Sequence, residues 1–340
     1  MITMFGKRIC LLFVGLISII LLIGNYHSVM AKELKLTIAT HISPAYKDAW
    51  PVFPSFVDYV NKRGKGKVFL DFYHSGTLLN HKQLLPGLMQ GTADMIFHTD
   101  AYLMGTFPIL GILELPFMYA DPEVTLRKLT IGSPLYEIIN QELAKKNLFM
   151  VFTSSPFPEY VWTNDRPVKK PSDLQGLRIR VAGRIGARVL KTLGGASVSL
   201  RSAEIYEGLK RKTVDGTLCA VPTIPARSLQ DVLRHVTLSD FSSYGLQLYV
   251  PLDRWKDLPP DVRELLLDGG KLFEKELIER IKSYHNKHYW PLIKKAGVEI
   301  IKLTPQEQEV FRERVKPVLD WWKGQLPSGV GEKAIQLITE

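Results

Sequence analysis

The stretch "SDLQGLRIRVAGRIGARVLKTLGGASVSL" (172–200) starts a β-α-β unit in the middle of the chain. Leu177, Ile179 and Val181 alternate there with Arg178 and Arg180, the period of a strand with two unlike faces. "RIGARVLKTLGG" (184–195) comes next, with apolar residues at helical spacing and a glycine stop. "ASVSL" (196–200) returns to strand spacing.

The same order occurs nearer the N-terminus. "ELKLTIAT" (33–40) alternates Leu34, Leu36 and Ile38, and an apolar-periodic helix then runs to Gly64. "KVFLDFYHSG" (67–76) is a second strand, and "NHKQLLPGLMQG" (80–91) a helix capped by Asn80 and stopped by Gly91. "ADMIFHTD" (93–100) reads as a short buried strand. Two separate β-α-β units predict an α/β protein of two lobes, each with parallel pairing. Ligands of such sheets sit outside the carboxyl ends of the strands. That rule selects Ala39, Thr40, His41, His98, Thr99 and Asp100 in the first lobe and Arg180 in the second.

The tail changes character. "LPPDVRELLLDGGKLFEKELIERIKSYHNKHYWPLIKKAG" (258–297) is one long helical pattern, opened by Pro259 and Pro260 and closed by Gly297. At 1.5 Å per residue it would extend about 55 Å, more than one lobe is wide. Its apolar stripe predicts a kinked helix that bridges both lobes.

Arg180 is the residue that asks for a reason. It closes a strand at a ligand-bearing edge, and a guanidinium offers a rigid fork of donors matched to a carboxylate. Buried without an anion it would cost several kcal/mol. An internal ion pair with Glu204, Asp173 or Asp215 is the structural alternative.

The first residues are of another kind. Lys7 and Arg8 precede an apolar run at 11–24, and Val29 and Ala31 stand at the small-x-small positions of a cleavage site. Residues 1–31 are therefore expected to be a signal peptide, an uncleaved anchor being the rival. Cys219 would then be the one cysteine left, so no internal disulfide is expected. The net charge of +10 falls by two with the leader, and the remaining basic residues are spread rather than clustered. A solvated basic surface is expected, with no nucleic-acid partner.

Five stretches in order carry a family resemblance: "HSGTLLNHKQLLPGLMQGTADM", "LELPFMYADPE", "DRPVKKPSDLQGLRIRV", "SAEIYEGLKRKTVDG" and "DLPPDVRELL". Through essentially the whole mature chain the sequence resembles the extracytoplasmic solute-binding subunit of TRAP transporters, the DctP-type family. The resemblance implies a two-lobe periplasmic binding protein fold with a ligand cleft and a long lobe-spanning helix. It also implies a small-molecule carboxylate ligand held by Arg180, lobe closure around it, and TRAP-type membrane permease subunits as partners. Lobe I would comprise 32–156 with 246–285, and lobe II 157–245 with 286–340. A periplasmic monomer without catalytic residues or cofactor is expected.

Two departures bear on the ligand. Where relatives for acidic sugars often carry a second arginine, "PFPEYVWTNDRP" offers Tyr160. Where relatives commonly read "VDGQENP", "VDGTLCAVP" places Cys219. Both replacements are less polar and point to a smaller or more apolar acid. Thr217, Ser202 and Asn80 are the candidates for restoring polar contacts. Gly183 and Tyr244 complete the expected pocket.

Other constellations offer less. His285 and His288 stand one turn apart in "HNKH" and read as solvent-facing; a closed metal site needs four ligands, so no metal is expected. Cys219 with His98 is the one hydrolase-like pairing, but no oxyanion signature accompanies it, and Cys219 reads as a small residue in a helix end. A binding protein that serves a membrane sensor would have the same sequence features.

Overall fold

The computed structural model describes residues 32–119, 121–154 and 157–340; the expected leader, 1–31, lies outside them. Eleven strands are present among the described residues. They are β1 (Leu34–Thr40), β2 (Val68–Tyr73), β3 (Met95–Thr99), β4 (Leu148–Thr153), β5 (Phe157–Thr163), β6 (Arg178–Val181), β7 (Ala196–Ser199), β8 (Gly216–Cys219), β9 (His235–Tyr244), β10 (Leu246–Pro251) and β11 (Glu299–Lys302). They form two sheets, one ordered β2-β1-β3-β10-β4 and the other β11-β9-β5-β8-β6-β7. β1 is parallel to β2 and β3, and β6 is parallel to β7 and β8, as the two β-α-β readings require.

β10 enters the first sheet antiparallel between β3 and β4, directly after β9 has left the second. The chain therefore crosses between the sheets at β4–β5 and again at Gly245. The second crossing is pinned: Gly245 N donates to Asp100 Oδ2 at 2.9 Å, and Leu246 N donates to Ser154 Oγ at 2.8 Å. A side chain at 245 would meet Gln247 Nε2 at 2.3 Å, so glycine is the residue that fits.

A third connection is the long helix, Pro260–Tyr284, continued by a π-helical turn at His285–Tyr289 and by Trp290–Lys295. Its first half lies close on the first lobe. A Cβ on Gly269 would meet Phe56 at 2.9 Å, and one on Gly270 would meet Phe152 at 2.4 Å. Its far end reaches the second sheet, where Trp290 stacks on Trp162 with ring centroids 6.1 Å apart. The π turn has a local cause: Pro291 has no N–H and its ring crowds the carbonyl four residues back. The turn is held by Asp48, which is fully buried. His285 Nε2 lies 2.8 Å from Asp48 Oδ2, the Tyr289 hydroxyl donates to Oδ1 at 3.2 Å, and Arg280 Nε donates to the Asp48 carbonyl at 3.1 Å. His285 is thus an anchor inside the fold and not the outward-facing residue expected from "HNKH".

The last helices, Pro305–Lys323 and Val330–Thr339, touch both lobes. Arg184 and Arg188 lie over the Trp321 ring at 5.7 and 5.4 Å. Trp322 Nε1 donates to the Pro108 carbonyl at 2.8 Å, and Lys128 Nζ to the Ile338 carbonyl at 2.7 Å. Cys219 ends β8 and not a helix, which places it on the sheet edge that faces the cleft.

Candidate ligand-binding site

β6 turns its two arginines to different fates. Arg178 is exposed and forms a two-pronged pair with Asp215, Nη2–Oδ1 at 2.8 Å and Nε–Oδ2 at 3.0 Å. Arg180 is only 3% exposed, and its Nε donates to the Leu200 carbonyl at 2.9 Å. The acidic residues that could have paired with it are engaged elsewhere. Asp215 serves Arg178, Glu204 pairs with Arg201, and Asp173 Oδ2 accepts from the backbone N–H groups of Lys169 and Lys170. Among the described residues Arg180 makes no salt bridge.

Arg180 opens onto a cavity of about 60 Å³ between the two sheets. The first lobe contributes the ends of β1 and β3 with the turns beyond them: His41, Ile42, Tyr46, Ala49, Thr99 and Tyr102. The second contributes Glu159 from β5, Ala182 after β6, Ser202, and Cys219 from β8. Tyr244 and Leu246, either side of the pinned crossing, close the back. A wider mouth leads outward past His81, His98, Tyr102 and Arg201.

Of the residues singled out in sequence, Arg180, His41, Thr99, Ser202, Cys219 and Tyr244 are brought together on this cavity. His98 stands at the mouth. The others are placed differently. Thr40 is fully buried and its Oγ1 accepts from Ile42 N at 3.2 Å, shaping the turn that presents His41. Asp100 lies behind the wall, where it accepts from Ala101 N at 2.8 Å and from Gly245 N at 2.9 Å. Asn80 is exposed and caps its own turn, accepting from Lys82 N at 3.0 Å. Gly183 brings backbone of one lobe onto the other: a Cβ there would meet Glu114 Oε2 at 2.7 Å and Ala101 Cβ at 3.1 Å. Tyr160 lines a separate groove beside Trp290, at a ring distance of 6.2 Å. Neighbouring residues of a strand face opposite sides, so Tyr160 turns to this groove and Glu159 to the cavity.

Glu159, Tyr46 and Tyr102 were not legible as site residues. The signal for Glu159 was a carboxyl set inside the apolar strand "FPEYVW"; the tyrosines carry no signal of their own. Tyr46 belongs to a contact across the cleft. Its hydroxyl lies 3.1 Å from Ser202 Oγ, which accepts from Arg227 Nε at 3.2 Å, and the Arg227 guanidinium sits 5.6 Å above the Tyr46 ring.

Burial sets the protonation of the groups around the cavity. It lowers His41 to about 3, with His81 and Arg227 pushing the same way. His98 is lowered well below its usual value by burial and by His41 beside it, the two rings being 5.2 Å apart. Both are neutral imidazoles, and the Nδ1 of each is buried without a partner. Burial pushes the Cys219 thiol up to about 12 despite Arg180 nearby, so it carries no thiolate at neutral pH. Glu159 is raised to about 8 by burial, with Arg180 pulling the other way and Asp100 adding to the rise. Arg180 is thus the cation of the cavity wall, surrounded by hydroxyls, neutral imidazoles and apolar side chains. Such a wall suits an anion with a small, largely apolar body. Among the described residues no group of three His, Cys, Asp or Glu is arranged to hold a metal ion.

Known proteins resemble this chain in sequence and in fold. Residues 38–325 match the family model for the bacterial extracellular solute-binding protein, family 7. The chain is 24% identical over 267 residues to the C4-dicarboxylate-binding protein DctB of Bacillus subtilis, covering 77% of this chain and 75% of that protein. It is 25% identical over 272 residues to the C4-dicarboxylate-binding periplasmic protein DctP of Rhodobacter capsulatus, covering 78% and 79%. Among solved structures, a TRAP periplasmic solute-binding protein from Ralstonia eutropha with bound (S)-2-acetolactate superposes with a TM-score of 0.79 at 22% identity, over 89% of this chain and 98% of that one. One from Roseobacter denitrificans with bound β-D-glucuronate gives 0.82 at 17% identity, over 90% and 99%. The chain belongs to the bacterial extracellular solute-binding protein family 7, the DctP family of TRAP-type binding proteins.

Proposed function

We propose that this protein captures a small organic carboxylate in the cleft between its lobes and delivers it to TRAP-type membrane permease subunits. The observation that carries the reading is Arg180, a guanidinium 3% exposed on the cavity wall without a salt bridge among the described residues. Burying such a group unpaired costs several kcal/mol. A ligand carboxylate would remove that cost through two parallel charge-assisted hydrogen bonds. The rim closes over it as the lobe of the first sheet moves against the lobe of the second, hinged at the crossings and the π turn, and the Tyr46–Ser202 contact seals the front. Residues 1–31 direct export to the periplasm and are removed, and the protein works as a monomer.

The less polar Cys219 on the cavity wall favours a smaller or more apolar acid over a sugar acid. The relatives' names, which run from C4-dicarboxylates to acetolactate and glucuronate, support the general class.

The test is thermal unfolding of refolded, ligand-stripped protein against lactate, pyruvate, branched 2-oxo acids, aromatic acids, C4-dicarboxylates and sialic acid. A ligand at a thousand times its Kd adds about 4 kcal/mol of stability. A shift for one class that disappears in Arg180→Ala supports the reading. Equal shifts in both proteins would refute it.

A further inference from the structure

An arginine that simply captures an anion leaves one residue of the cavity without a role. Glu159 lines the same wall as Arg180, yet the two form no salt bridge. A carboxyl beside an anion-binding guanidinium is a competitor if ionised and a hydrogen-bond donor if neutral. We propose that Glu159 is a second ligand-binding residue that works as a neutral carboxylic acid, so that the carboxylate ligand is bound together with one proton held by Glu159.

The surroundings of Glu159 favour the neutral form. Glu159 is half-buried, and behind the wall stand two buried carboxyls, Asp100, which is fully buried, and Glu114, which is 2% exposed. Glu114 Oε1 has no partner, and Oε2 lies against Gly183. The cation that acts on Glu159 is Arg180 on β6. The remaining groups that feel Glu159 are Tyr102, Cys219 and Tyr244, each neutral at physiological pH because burial raises it. Ser242, its ladder partner on β9, donates its hydroxyl to the Glu114 carbonyl at 3.1 Å. Three carboxyls and one guanidinium cannot all be ionised in so small a space, and burial is the main cause that raises each carboxyl. An arriving anion is one more negative charge, and it strengthens the hold of Glu159 on its proton.

Linkage sets the sign. Below about pH 8 Glu159 already carries the proton, and binding is insensitive to pH. Above it the proton must be taken up with the ligand, and affinity falls by about tenfold per pH unit. Neither His41 nor His98 titrates in that range, since both are shifted downward.

This rests on the carboxylate reading above, and the experiment separates the two. Kd is measured by calorimetry from pH 6 to 9.5 for acetate, as the smallest carboxylate, and for the tightest binder among pyruvate, 3-methyl-2-oxobutanoate and succinate. In parallel the Glu159 carboxyl is titrated by ¹³C NMR, its signal assigned by its absence in Glu159→Gln. The expected result is a Kd that is flat to about pH 8 and then rises, with the Glu159 midpoint near 8 and higher when acetate is present. Glu159→Ala should weaken binding at pH 6 by about tenfold, the order of one charge-assisted hydrogen bond. Glu159→Gln, which keeps a donor in place, should recover part of that loss and abolish the rise. Arg180-dependent binding with a Kd flat to pH 9.5, or a Glu159 midpoint near the ordinary glutamate value, overturns this proposal alone. No binding of any acid overturns the carboxylate reading and this proposal with it.

Discussion

Replacing Arg180 by methionine separates a binding arginine from a structural one, because the two predict opposite signs in the ligand-free protein. The guanidinium is 3% exposed, and its Nε donates to the Leu200 carbonyl at 2.9 Å. A hydrogen bond to a charged group contributes about 1.5–3 kcal/mol. Against it stands a desolvation penalty of several kcal/mol for an ion without a counter-ion. Methionine fills a similar volume and removes both contributions, so the ligand-free variant should be as stable as the wild type or more stable, by about 0–3 kcal/mol. With roughly 2 °C per kcal/mol, the lower end for large domains, the expected change in Tm is about 0 to +6 °C. The same variant should lose the stabilisation that a saturating carboxylate gives the wild type. The assay is a pair of calorimetric melts, with and without ligand. A ligand-free Arg180→Met less stable than the wild type would refute the reasoning: the guanidinium would then be a fixture of the second lobe, paired internally.

The geometry carries four other expectations. Gly270→Ala forces a Cβ to within 2.4 Å of Phe152 and should lower stability by about 1–3 kcal/mol, read by urea unfolding. Asp48→Ala strips the π turn of its buried acceptor and should cost about 2–4 kcal/mol, whereas Asp48→Asn should cost less; equal melts for all three proteins would contradict the anchor. Tyr46→Phe removes the 3.1 Å contact with Ser202 across the cleft and should speed ligand release severalfold in stopped flow, with little change in melting temperature. Asp100 and Glu159 are raised to about 7 and about 8, so the folded state holds protons that the unfolded chain has released. Stability should therefore fall as pH rises from about 4 toward 8, and an Asp100→Asn, Glu159→Gln double variant should flatten that slope in denaturant titrations.

The two lobes and the long helix were legible because each rests on a period that burial imposes: alternation in β1, β2 and β6, and an apolar stripe from Pro260 onward. Arg180 was legible for the same reason, as a charge in phase with a strand that ends at a cleft. What the period could not carry was β5. The resemblance points to Tyr160 by its place, and its neighbour Glu159, on the opposite face of the strand, is the one that meets the cavity. The second failure is of another kind. Outward placement of His285 assumes a regular helix, and the π turn that Pro291 induces rotates it inward onto Asp48. Tyr46 and Tyr102 come from turns whose path depends on the opposite lobe, and no local pattern encodes that.

The attachment of the C-terminal helices has a consequence for how the molecule assembles in time. Ile109, Leu113, Tyr136 and Ile139 share one core with Trp322 and Ile338, so the early half of the chain waits for nearly the last residues to be made. A ribosome delivers those residues some two hundred positions later, and until then this face of the first lobe lacks its cover. The nascent chain is thereby kept from locking early, and a truncation of some twenty residues would undo a core laid down two hundred positions upstream.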